Sequence, residues 1–160
     1  IPKRDWSSDV CSSDLGNGLI AAYIHTGAKV GVLVEVGATN EATVANEEFK
    51  QLVRDITLQI AAANPTCVSR DQVDANLVAK EKEIAAEQVK NKPPQAIAKI
   101  VEGKLDKFFQ TICLVEQGFV KNPELTVKDH VAQVGKKLGD EIAVRRFLRF
   151  QVGEAAATAA

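Results

Sequence analysis

The chain has 160 residues, enough for one compact domain or one domain with an extended element. Its 20 Lys+Arg and 21 Asp+Glu leave a formal net charge of −1, so overall charge implies no polyelectrolyte partner. Hydrophobic residues make up 46% of it, which argues against gross disorder, and no run approaches the roughly 20 apolar residues of a membrane-spanning helix.

Residues 5–15, Asp-Trp-Ser-Ser-Asp-Val-Cys-Ser-Ser-Asp-Leu, resemble the in-frame translation of a sequencing-library adapter. Residues 1–16 are therefore read as a scar or linker and set aside, with Trp6 and Cys11 among them, and a native N-terminal part is expected to be missing. Gly16-Asn17-Gly18-Leu19-Ile20-Ala21 has the spacing of a dinucleotide fingerprint but lacks the strand before it and the helix after it that such a site needs. Leu19 to Ile24 and Lys29 to Val36 instead predict two strands of an antiparallel hairpin turning at Gly27-Ala28. Gly37 to Asn46 reads as a polar loop. From Glu47 to Ala63, the stripe Phe49, Leu52, Val53, Ile56, Ile60 and Ala63 predicts a helix with its core face toward a sheet, ended by Asn64-Pro65. Cys67-Val68 reads as a short extended piece, and Ser69 or Asp71 as the cap of the turn that follows.

Asp74 to Lys92 predicts a helix with Leu77, Ile84 and Val89 roughly on one face. Pro93 and Pro94 stop it, and proline is well placed to start the next helix, where its missing N–H would be an orphan donor anyway. Beyond them Ile97, Ile100, Val101, Leu105 and Phe108 recur at helical spacing. Two amphipathic helices joined by so short a turn fold back antiparallel. Thr111 to Phe119 reads as a strand or extended segment, and Lys121 to Glu124 as a turn. Thr126 and Asp129 form a variant capping box for a helix to about Leu138, which Gly139 stops. Glu141 to Val152 is the last strand, with Val144, Leu148, Phe150 and Val152 assigned to one face. The sum is an α+β fold: a small antiparallel sheet packed with helices (residues 17–68 and 110–154), an inserted helical hairpin (69–109), and a frayed Ala-rich tail (155–160).

Chemistry-bearing patterns are sparse. His25 and His130 have no Ser or Cys at a triad spacing, so no catalytic residue is assigned. No His or carboxylate cluster suggests a metal, and no Gly-x-x-x-x-Gly-Lys-Ser/Thr loop suggests a bound nucleotide, so no cofactor is expected. Cys11, Cys67 and Cys113, odd in number and without a Cys-x-x-Cys pair, suit a reducing cytosol and predict neither a zinc cluster nor a disulfide framework. Arg145, Arg146 and Arg149 around Phe147 raise an RNA-binding alternative, against which stands the balanced charge. Phe119, Val120 and Lys121, just before a proline turn, form a candidate binding tip.

Several of these stretches carry a family likeness. Tyr23-Ile24-His25-Thr26-Gly27, Val30-Gly31-Val32-Leu33-Val34-Glu35, Ile97 to Leu105 with Phe108-Phe109, Thr126-Val127 and Arg149-Phe150-Gln151-Val152-Gly153-Glu154 occur in the order found in bacterial translation elongation factor Ts, which the chain resembles from about Gly18 to Glu154. The resemblance implies the C-terminal half of that family's core with its antiparallel coiled coil inserted. It implies a cytoplasmic exchange factor (bacterial, or in an organellar matrix) rather than an enzyme, with elongation factor Tu as partner and contacts at His25 and at the loop holding Phe119, Val120 and Lys121. The family's N-terminal helical module and Thr-Asp-Phe-Val motif are absent, which implies docking without full exchange. The alternative is a structural module that self-associates, as a homodimer, through the helical hairpin.

Overall fold

In a computed structural model, residues 16–154 are described; all but Gly16 of the tract read as a scar, and the Ala-rich tail, lie outside them. The described chain is α+β and divides into two compact units, one of residues 16–57 with 131–154 and one of residues 58–130.

The first unit is built on a three-stranded antiparallel sheet. Strands β1 (Asn17–Ile24) and β2 (Val30–Ala38) pair in continuous register from Asn17↔Ala38 to Ile24↔Gly31. The turn between them carries positive φ at Gly27 (+89°) and Ala28 (+53°). Gly27 adopts this without a Cβ penalty, whereas Ala28 is held there by its neighbours. β2 supplies the buried face through Val32, Val34, Val36 and Ala38, each 3% exposed or less.

β5 (Ile142–Gln151) pairs with β2 through a bulge: Glu35 faces Arg146 and Val36 faces Val144, so Arg145 is the extra residue. An inserted residue reverses the facing of everything beyond it. Val144 is therefore buried, while Leu148 and Phe150 are 56% and 69% exposed. This corrects the expectation of one common face, because strict alternation along the sequence does not anticipate a bulge. The outer face of the sheet is apolar, with Ile20, Ile24, Leu33, Leu148 and Phe150 exposed.

The stretch expected to be a polar loop holds a short helix, α1 (Glu41–Ala45), and β2 continues two residues further than the sequence suggested. Helix α2 (Glu47–Ala63) has the expected bounds. Its residues Phe49, Leu52, Val53 and Ile56 are all 1% exposed or less. The unit boundary falls within α2, after Thr57, and again within α5 (Val127–Leu138), before Val131. Gly139 ends α5 at φ +66°, in the left-handed conformation a C-terminal glycine serves.

The second unit centres on helices α3 (Ala75–Glu87) and α4 (Pro94–Ile112). Asp74 caps α3, its carboxylate accepting from the amides of Asn76 (2.6 Å) and Leu77 (3.3 Å). Pro93 is extended (φ −56°, ψ 142°), as a residue before proline must be, and its carbonyl accepts from the amides of Ala96 and Ile97. The helices meet at Ala85, Val89 and Val101, flanked by Ala86, Ile97, Ile100 and Leu105. Late α3 meets the middle of α4, where Lys104 donates to Gln88, and Glu81 shares a depression with Phe108 and Ile112, so the two run in opposite directions. Leu77 and Ile84, expected on the contact face, are 42% and 50% exposed. The small Ala85, four residues before Val89, marks the true contact line.

α4 runs on to Ile112 where a strand or extended segment was expected from Thr111. A single 3₁₀ turn at Leu114–Glu116 follows, and only Gly118–Phe119 is strand, β3. The apolar run Ile112-Cys113-Leu114 is too short for periodicity to tell a buried helix end from a strand. β3 pairs with β4 (Asn122–Thr126), which displaces the expected turn to Val120-Lys121. Pro123 is tolerated because β4 pairs on one side only. The capping box forms: the Thr126 hydroxyl accepts from the Asp129 amide at 3.1 Å, and the Asp129 carboxylate accepts from the Thr126 amide at 3.3 Å.

Candidate functional site

Two tips carry the candidate residues, one in each unit. In the first unit, His25 is exposed at the end of β1, in the turn. Its amide donates to the Val30 carbonyl (2.9 Å) and its carbonyl accepts from the Ala28 amide (2.9 Å), which fixes the backbone of the tip. Its Nδ1 lies 2.9 Å from Tyr23 Oη. The tautomer of the imidazole sets which of the two groups donates. Tyr23, two positions back and thus on the same side of the strand, holds the ring in place. Sequence reasoning did not single out Tyr23.

In the second unit, the β3–β4 hairpin places Val120 and Lys121 at its turn, Val120 being 46% exposed. Phe119 does not share this exposure. It is 5% exposed and stacks on His130, ring centroids 4.3 Å apart and planes 15° apart. Phe119, expected as a contact on this loop, is thus placed inside the unit, where a phenylalanine beside a helical aromatic ring gains more from burial than from solvent.

Beneath the turn lies a buried amide pair. Gln59 of α2 and Gln117 are 1% and 5% exposed. Gln59 Nε2 donates to Gln117 Oε1 (3.2 Å) and to the Gly118 carbonyl (3.1 Å), while Gln59 Oε1 accepts from the Val120 amide (2.8 Å). Gln117 Nε2 donates to the Thr111 carbonyl (2.8 Å), and its own carbonyl accepts from the Val127 amide (2.9 Å). The turn is therefore positioned from below, with its polar backbone satisfied. The signal available in the sequence was a glutamine beside Ile60 in an otherwise apolar stripe.

The arginines of β5 are matched by acidic partners. Glu35 accepts from Arg145 (3.1 Å) and Arg146 (2.6 Å), and Arg149 donates to Glu154 (3.1 Å). Burial pushes the Glu35 carboxyl up, and the two guanidiniums outweigh it and hold it below the usual carboxylate range. The bulge is what brings both arginines to one carboxylate, and Gly37 leaves the room that Arg145 fills: a Cβ there would sit 2.6 Å from its Nε. A face neutralised in this way offers little to a phosphate backbone. In the second unit Arg70 lies between Glu116 and Asp106 and over the Phe109 ring, 4.5 Å from its centroid.

Among the described residues no group of His, Cys, Asp or Glu could hold a metal ion, and no helix is long and apolar enough to cross a membrane.

A family model described as elongation factor TS matches residues 10–154. An elongation factor Ts of Thermodesulfovibrio yellowstonii is 48% identical over 144 residues, covering 89% of this chain and 72% of that protein. Those of Alkaliphilus oremlandii (48%) and Carboxydothermus hydrogenoformans (46%) match over 139 residues, 86% of this chain and 64% of each relative. The chain thus spans about two thirds of the length of the curated relatives it matches.

Proposed function

Because the chain belongs to the elongation factor Ts family of translation elongation factors, we propose that it docks on elongation factor Tu, the partner from which the complete exchange factor favours release of guanosine diphosphate. The observation that carries this reading is the family match over nearly all described residues. An exchange factor of this kind makes and breaks no covalent bond. It binds the nucleotide-free partner more tightly than the nucleotide-bound one, and by linkage the nucleotide is held more weakly in the complex. Bacterial cytoplasm is the location that belongs to the same proposal.

Each tip offers a contact of its own. His25 presents an imidazole whose orientation Tyr23 fixes, and Val120 and Lys121 present an apolar surface beside a cation on a turn that Gln59 supports. Pre-set groups of this kind lose little entropy on binding. The chain contains no Thr-Asp-Phe-Val sequence, so docking without efficient exchange is the expected behaviour of these residues.

The test is titration of the chain against elongation factor Tu loaded with labelled guanosine diphosphate, reading binding and release in one sample. Micromolar or tighter binding with little release is expected. His25→Ala and Val120→Ala should each weaken binding by roughly tenfold, the effect of losing about 1.4 kcal/mol. Absence of binding by the folded chain overturns the reading.

Exposed Leu77 and Ile84 on α3 favour a second reading, self-association through the helix pair. Sedimentation of the chain alone decides it: a mass that stays monomeric across micromolar concentrations removes that reading.

A further inference from the structure

We propose that Cys67 and Cys113 are a built-in thiol pair that closes to a reversible disulfide when the chain meets a peroxide. The two residues face each other as an isolated parallel bridge. The Cys67 amide donates to the Ile112 carbonyl (3.2 Å) and the Leu114 amide donates to the Cys67 carbonyl (2.9 Å), so Cys67 is pinned on both sides of Cys113. Their sulfurs lie 3.6 Å apart, in contact, with no atom between them. Disulfides require neighbouring backbones and converging Cβ vectors, and a bridge with touching sulfurs supplies both. The sequence reading, which saw only an odd cysteine count, had no access to this pairing across 46 positions.

The exposures assign the roles. Cys67 is 8% exposed and Cys113 is 0% exposed, so Cys67 is the thiol a small oxidant reaches first. The Cys67 thiolate attacks one peroxide oxygen; the O–O bond breaks, a sulfenic acid forms, and the departing hydroxide takes a proton to become water. The Cys113 thiolate then attacks the sulfenic sulfur; the S–S bond forms, the S–O bond breaks, and a second water leaves. Two thiols lose two electrons and two protons in all, and one hydrogen peroxide becomes two waters.

Reactivity is restrained by the surroundings. Burial raises both thiols, Cys113 up to about 12, with the Cys67 thiol and Glu116 adding to the effect on Cys113 and Arg70 opposing it. Cross-linking is therefore slow at neutral pH and accelerates as pH rises. The closed loop contains both α3 and α4, so the bond ties together the two ends of the segment that carries the helix pair. A link closing so long a loop restricts the unfolded chain.

The experiment is treatment of the folded, full chain with hydrogen peroxide, followed by intact mass and non-reducing peptide mapping. A loss of two hydrogens, a Cys67 peptide joined to the Cys113 peptide, reversal by dithiothreitol, and a melting point raised by roughly 5–15 °C are the expected results. Cys11→Ser should leave the link intact. Cys113→Ser should trap oxygen adducts on Cys67. Any of four results overturns the proposal: a link made through Cys11, oxygen adducts without a link in the unaltered chain, thiols that react only after unfolding, or a lowered melting point on oxidation. Because the map is read on the unaltered chain, it decides even if a variant fails to fold.

Discussion

Helices α2 and α3 look alike in sequence, each amphipathic and each rich in aliphatic residues, yet they are buried differently. α2 buries Phe49, Leu52, Val53, Ile56 and Ile60 to 1% exposure or less. α3 buries only Ala85, and its larger apolar residues Leu77 and Ile84 stay half in solvent. The difference is one of company. α2 buries large side chains, whereas α3 has one principal helical neighbour and meets it through small residues, which let backbones approach closely but remove little apolar area from water.

Paired truncations sharpen this contrast most. Ile56→Ala should destabilise the chain by about 2–5 kcal/mol, since it deletes buried methyl groups and leaves a cavity. Ile84→Ala removes the same atoms from a half-exposed position and should stay within about 0.5 kcal/mol. Urea unfolding followed by circular dichroism reads both. Equal losses would mean that α3 is covered in solution, and the distinction between the helices would fail.

A smaller effect comes from the one polar residue on α2 that is as buried as its apolar neighbours. Gln59→Leu keeps the volume but strips the partner from the Val120 amide and the Gly118 carbonyl. A loss of about 1–3 kcal/mol is expected from the groups left unsatisfied. Faster amide exchange should be confined to the 118–122 turn if Gln59 acts through that turn, and protection there that is unchanged would refute the role assigned to the amide pair.

These contrasts also mark what the sequence carried. Strong periodicity and punctuation were readable: the bounds of α2, the start of α4 at Pro94, the Thr126–Asp129 box and the Gly139 stop are local physics. The bulge at Arg145 was not, because it belongs to the pairing of β5 with β2 and not to β5 itself. Nor was the true face of α3, where an alanine outranks two larger residues only because a neighbouring helix lies close. At the candidate tips, exposure of His25 and Val120 follows from turn chemistry, while the inward course of Phe119 depends on His130, eleven positions away and visible only once α5 is placed.

Acid gives the mildest and most selective way to test whether the first unit can be weakened on its own. Asp140, after α5, has its carboxylate facing the amides of Thr39 (3.2 Å) and Asn40 (2.9 Å), which follow β2, and that of Glu141 (2.8 Å). Burial raises this carboxyl, but the Thr43 hydroxyl, the Asn40 amide, the Thr39 hydroxyl and the Glu141 amide outweigh it and bring it down to about 2. A carboxyl whose folded pKa lies below its unfolded value near 3.9 binds protons more weakly in the folded chain. Its contribution is therefore complete above about pH 4 and disappears as pH falls through about 2. Discounted for solvent screening of a partly exposed group, that contribution is about 1–2 kcal/mol. Asp140→Asn should lose about this much at pH 7, and the gap to the unaltered chain should shrink as pH falls through about 2. Glu35 is also held low, so the difference between the two proteins is the quantity to follow, not either curve alone. If Asp140 tethers the first unit, exchange protection should fall first in β1 and β2 and last between α3 and α4. A gap that stays constant from pH 7 to pH 2 would mean that the shape of the side chain, and not its charge, holds the residues after β2.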